Sequence, residues 1–172
     1  MIRPMQASDI ARVAEIHVFA RRKAYRGIIS DKNLFIENTV VKRIEYFDSI
    51  LMDDDAKAYV FDDGIVKGFV TIGLCNDDDK PGSLLLRKIY IDPFMQGCGI
   101  GTQLADYCEK VAGQMGINEI CLWVLEKNLS ARGFYEKLGY LSDGAKRYFE
   151  NGSCPTQLRY CKGVALPKEA PK

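Results

Sequence analysis

The sequence is poor in the residues that build metal sites. It has 172 residues but one histidine, His17, and its six cysteines form no C-x-x-C pair. Zinc sites draw on close-set Cys and His ligands, so no metal is expected. Long apolar runs are also missing: nothing approaches the roughly 18 residues of a membrane-spanning helix. Met1 to Gln6 offers neither a long apolar stretch nor a small-residue cleavage site, which argues against a secretory leader. The expectation is a cytoplasmic protein with reduced thiols and no membrane partner. Charge of one sign is lacking too. Twenty-four basic and 23 acidic side chains leave a net charge of +1. No general field draws nucleic acid to the chain, so an anionic ligand needs a local device to hold it.

What is present reads as one unit. No repeat or linker divides residues 1–165, and 166–172 reads as a short Pro/Lys tail. Ile2-Arg3-Pro4 suggests a first strand. Ser8 or Asp9 can start a helix that buries Ile10, Val13, Ile16 and Ala20. Thr39 opens a second helix with Val40, Ile44, Phe47 and Leu51 at helical spacing. The period then switches to two. Strands at 58–61, 65–74 and 84–92, joined by Asp/Gly/Pro turns, predict an antiparallel meander. A helix over Ile100 to Met115, a strand at 117–124, a short helix capped by Asn128 and closed by Gly139, and strands near 140–149 and 157–164 complete the chain. The last strand is expected at an exposed edge, where a second copy could pair, so monomer and homodimer both stay open.

Gln96-Gly97-Cys98-Gly99-Ile100-Gly101-Thr102 is the most informative segment. Its glycines leave backbone N–H groups uncovered, and a helix follows at once. The first N–H groups of a helix lack internal partners and carry partial positive charge, which suits a pyrophosphate. No Lys follows Gly101, so this is not an ATPase P-loop, and Thr102 stands where a dinucleotide fingerprint wants Gly or Ala. The loop by itself also fits a plain strand-to-helix connection.

Two motifs together give a family resemblance. Gln96, Gly99 and Gly101 fit the loop [QR]-x-x-G-x-[GA], and the strand LLLRKIYIDP precedes it. Asn128, Tyr135, Gly139 and Tyr140 in NLSARGFYEKLGY fit a second signature at the right distance. The chain thus resembles the GNAT superfamily of acyl-CoA-dependent N-acyltransferases. The resemblance follows element order from 2 to 164 and is sharp from 84 to 140. It implies an α/β fold of the α+β kind: a mixed, mostly antiparallel twisted sheet flanked by helices, with a V-shaped cofactor gap between strands 84–92 and 117–124. It implies acetyl-CoA as cosubstrate and direct transfer to a primary amine of a small molecule or peptide. The alternative is a non-catalytic acyl-CoA-binding sensor or scaffold.

The resemblance also assigns roles. Residues Gln96, Gly97, Cys98, Gly99, Ile100, Gly101 and Thr102 would hold the pyrophosphate. A β-bulge near Ile89, Tyr90 and Ile91 would turn backbone groups toward pantetheine, with the Ile91 N–H as oxyanion donor. Asn128 would order the facing loop, and Tyr135 would protonate the leaving thiolate. Trp123 stands where some relatives carry a Glu base. Glu126, Asp92 and Tyr25 are the substitutes considered. His17, Tyr25 and Arg26 are acceptor-contact candidates, and Tyr25-Arg26-Gly27-Ile28-Ile29 resembles a segment of polyamine-acetylating members. Arg21-Arg22-Lys23 reads as a solvated helix face, and Cys98 as chemically incidental.

Overall fold

A computed structural model describes residues 1–148 and 155–166. Seven strands form one sheet: β1 Ile2–Pro4, β2 Ala56–Asp62, β3 Val66–Leu74, β4 Leu84–Ile91, β5 Glu119–Leu125, β6 Leu141–Arg147 and β7 Gln157–Gly163. The helices are α1 Ile10–Tyr25, α2 Val40–Leu51, α3 Ile100–Gln114 and α4 Leu129–Lys137. Strand order is β1-β2-β3-β4-β5-β7-β6. Every pairing is antiparallel except β4 with β5. This is the mixed, mostly antiparallel sheet that the sequence predicts. No helix among the described residues is long and apolar enough to cross a membrane.

Alternation along the strands builds two apolar layers. Ala56, Ala58 and Val60 of β2 and Phe69 of β3 pack under α1 and α2 against Val13, Ile16, Phe47 and Ile50. Val70 and Ile72 of β3, with Leu84 and Leu86 of β4, face the other way, onto Leu104, Cys108 and Val111 of α3. In α2 the buried face is turned slightly from the predicted one. Phe47 and Ile50 are buried, whereas Ile44 is 37% exposed. The segment 32–37, left unread in the sequence, forms a wide π-type turn that buries Leu34.

Two expectations need correction. The bulge of β4 lies at Arg87, not at 89–91. Thr71 pairs with Lys88 and Ile72 with Leu86, so Arg87 is the extra residue. This shift exchanges the two faces of the strand. Leu84 and Leu86 point toward α3, and beyond the bulge Ile89 and Ile91 pack on that same layer. Lys88 and Tyr90 face the other side, where they meet Tyr46 and His17. The last strand is not an edge either. β7 lies between β5 and β6, antiparallel to both, and leaves β6 outside. Phe149, in the predicted penultimate strand, and tail residues 167–172 fall outside the described residues.

Candidate active site

The site forms where two neighbouring strands part. β4 and β5 pair only at Leu84 with Ile120 and Leu85 with Cys121. Beyond that point their backbones diverge and open a cleft of about 700 Å³. The Asp92 amide donates to the Lys67 carbonyl at 2.8 Å. Amides alternate in direction along an antiparallel strand, so those of Ile91 and Ile89 point away from β3, into the gap. The gap thus presents two backbone donors on one strand with no partner strand opposite.

The glycine loop closes one end of the cleft. Gly97 and Gly99 have φ of +83° and +73°, and a Cβ at either would meet open space. Both positions need glycine for their backbone, and both leave the amides bare. Gly99 is the N-cap of α3 and offers no side chain to the first turn. Gly101 serves packing instead. A Cβ there would lie 3.2 Å from the Phe134 ring, so its absence lets α3 approach α4. Cys98 is exposed and does not line the cleft, while the backbone around it does. Lys23 was missed in the sequence. Its ammonium donates to Gln96 Oε1 at 2.8 Å and also lines the cleft beside the loop. The arrival of α1 at the loop is a tertiary fact that helix spacing does not reveal.

The opposite wall comes from α4. Asn128 Oδ1 accepts from the Ala131 amide at 3.2 Å and fixes the start of that helix. Tyr135 follows two turns later and is buried between Phe134 and Tyr140. Burial first, and then the nearby Tyr25, pushes its phenol pKa up. Tyr25 and Tyr90 also line the cleft, with their hydroxyls 3.1 Å apart.

Other predicted residues lie elsewhere. Arg26 is exposed and outside the cleft. Asp92 is buried, paired with Arg12, and accepts from the Phe94 amide. Glu126 pairs with Lys146 at 3.3 Å. No carboxylate among the described residues lines the cleft, and of the three proposed bases only Tyr25 reaches it.

His17 is fully buried among Phe47, Phe69 and Tyr90, and neither ring nitrogen has a partner among the described residues. Burial, followed by repulsion from Arg21, Arg43 and Lys88, pushes its pKa down to about 2. The folded state therefore holds it neutral, while the unfolded chain protonates it below about pH 6.5. Stability is full above that value and falls with pH below it. Unfolding in urea should show a loss of about 1.5 kcal/mol between pH 6.5 and 5, above the range where most carboxylates titrate. Because the chain has no other histidine, His17→Leu should flatten that slope. An unchanged slope would contradict the assignment.

Comparison with known proteins agrees with this geometry. Residues 29–140 match the model of the acetyltransferase (GNAT) family. An uncharacterized N-acetyltransferase of Methanocaldococcus jannaschii is 29% identical over 143 residues, which are 81% of this chain and 59% of that protein. The peptidyl-lysine N-acetyltransferase YjaB of Escherichia coli is 32% identical over 75 residues, 40% of this chain and 48% of YjaB. The chain thus spans about half the length of the curated relatives it matches. The PaiA N-acetyltransferase of Thermoplasma acidophilum, solved with coenzyme A, shares the fold at a TM-score of 0.75 and 21% identity, covering 95% of this chain and 98% of that one. YncA of Salmonella typhimurium, solved with acetyl-CoA, does so at 0.69 and 17%, covering 100% and 97%.

Proposed function

Because the chain belongs to the acetyltransferase (GNAT) family, we propose that it moves the acetyl group of acetyl-CoA directly onto a primary amine. The observation that carries this reading is the parting of β4 from β5, with the Ile89 and Ile91 amides turned into the gap. Acetyl-CoA supplies an activated thioester. The bare amides from Gln96 to Thr102 and the Lys23 ammonium suit its pyrophosphate. The Ile89 N–H suits an amide carbonyl of its pantetheine arm.

The chemistry balances on residues of this chain. The amine nitrogen bonds to the acetyl carbon, and the carbon–sulfur bond breaks. The Ile91 N–H stabilises negative charge on the carbonyl oxygen. Tyr135 donates a proton to the departing sulfur. The burial that raises its pKa also raises the proton affinity of a thiolate in the same gap. The amine loses one proton. Lys88 lines the acceptor side with its pKa pushed down to about 8 by burial and then by Arg43, Arg21 and Arg87, so a neutral fraction can accept it.

The printed activity of YjaB makes a peptidyl lysine one acceptor to try; polyamines, amino acids, aminoglycosides and peptides with free N-termini are the others. The purified protein is incubated with acetyl-CoA and each amine, and products are read by mass. An N-acetylated product is expected from at least one class. Bound acetyl-CoA with no product would favour a non-catalytic binder, and a stable acetyl-cysteine on the protein would overturn direct transfer.

A further inference from the structure

A second cavity, of about 300 Å³, adjoins the first and shares Tyr25, Arg87, Lys88, Tyr90 and Trp123 with it. Its lining adds Arg21 and Arg147. Four cationic side chains thus converge on one small space, and no carboxylate among the described residues lines it. This is a local excess in a chain whose net charge is +1.

These cations are poorly compensated among the described residues. Arg21 has one hydrogen-bond partner, Asn33 Oδ1 at 3.3 Å, and its Nε is buried without any. Arg43 stands behind the wall over the Tyr46 ring, and its Nε is likewise buried and unpartnered. Arg147 lies 4.3 Å from the Trp123 ring centroid and donates to Gln157, a neutral amide. Lys88 donates to the Tyr46 hydroxyl at 2.6 Å. Arg87 reaches only Asp53, at 3.7 Å. Arg159, just beyond, shows the usual solution: its guanidinium is paired with Asp77, Asp79 and Asp143. Buried positive charge without a counter-charge is costly, and several like charges add repulsion. Arg43 and Lys88 register this as pKa values pushed down, first by burial and then by cationic neighbours that include Arg21. A bound anion would remove the imbalance.

We infer that the acceptor is an anionic amine, carrying a carboxylate or phosphate that Arg21, Arg87 and Arg147 hold while its amino group faces the thioester. The inference rests on reading the adjoining cleft as the acetyl-CoA site. A guanidinium offers a fork of donors suited to either anion. A polyamine brings further positive charge to the same wall and is disfavoured by it, contrary to the resemblance of the Tyr25 segment.

Matched pairs of amines test this. Phosphoethanolamine is compared with ethanolamine, aspartate with its diamide, and a peptide with an acidic residue beside its free amine with its amide counterpart; spermidine completes the set. The charged member of at least one pair should have a kcat/KM about tenfold or more above its partner, and spermidine should rank low. Arg21→Gln and Arg147→Gln should each narrow that ratio toward one. Calorimetric binding of the same compounds, with and without CoA, covers the case in which no amine turns over. A charged member should then bind more tightly than its uncharged partner, by a margin that shrinks with added salt. Equal or weaker use and binding of the charged members, or a ratio untouched in both variants, would overturn the inference. Failure to bind CoA, with anion preference intact, would instead count against the proposed function alone.

Discussion

Tyr135→Phe should lower kcat for acetyl transfer by about 10²-fold or more, within the range typical of a lost general acid. The substitution removes one oxygen and keeps the ring. Tyr135 packs with Phe134 and Tyr140 at ring-centroid distances of 5.2 and 5.9 Å, contacts that phenylalanine reproduces. Its hydroxyl has no hydrogen bond to another described residue, so folding stability should change by less than about 1 kcal/mol. KM for acetyl-CoA should stay close to the wild-type value, because the contacts proposed for it lie mostly in the loop and β4. Steady-state kinetics on matched preparations decides. An unchanged kcat would remove Tyr135 as the acid and leave it a packing residue.

Phe69→Ala should destabilise the fold by about 3–5 kcal/mol, the usual cost of emptying a buried aromatic position. Phe69 is fully buried at the middle of β3. Its ring meets Phe47 edge-on at 5.1 Å and lies 5.8 Å from Tyr90 and 6.3 Å from His17. The resulting cavity would sit beneath Tyr90, whose hydroxyl contacts Tyr25 in the cleft. The effect should therefore extend to acceptor binding as a raised KM in protein that remains folded. Urea unfolding checks the first part: the midpoint should fall while the slope holds. A loss below about 1 kcal/mol would mean that this layer is not the core described above.

The parts of the site legible in the sequence are those set by local chemistry. Gly97 and Gly99 announce backbone that only glycine adopts easily, and Asn128 announces a helix start. The meander from β2 to β4 follows from period-two alternation and short turns. The parts that escaped depend on contacts distant in sequence. The resemblance puts a bulge in LLLRKIYI near Ile89 to Ile91, and only the register against β3 reveals that the extra residue is Arg87. The place of β7 between β5 and β6 is a choice among long-range partners that its own seven residues do not make. Arg21 and Arg147 lie far apart in the chain, on α1 and β6, yet share one cavity wall. Read along α1 alone, Arg21 and Lys23 belong to a solvated face. In the fold one lines the second cavity and the other reaches the glycine loop.

The central claim is that the parting of β4 and β5 holds the cosubstrate. Amide hydrogen exchange with and without CoA tests it most directly, because it reads the backbone groups assigned to binding. Protection on adding CoA should be concentrated at residues 96–102 and at Ile89 and Ile91, with little change in β1 and β2. Protection confined to other segments, or none at saturating CoA, would contradict the account.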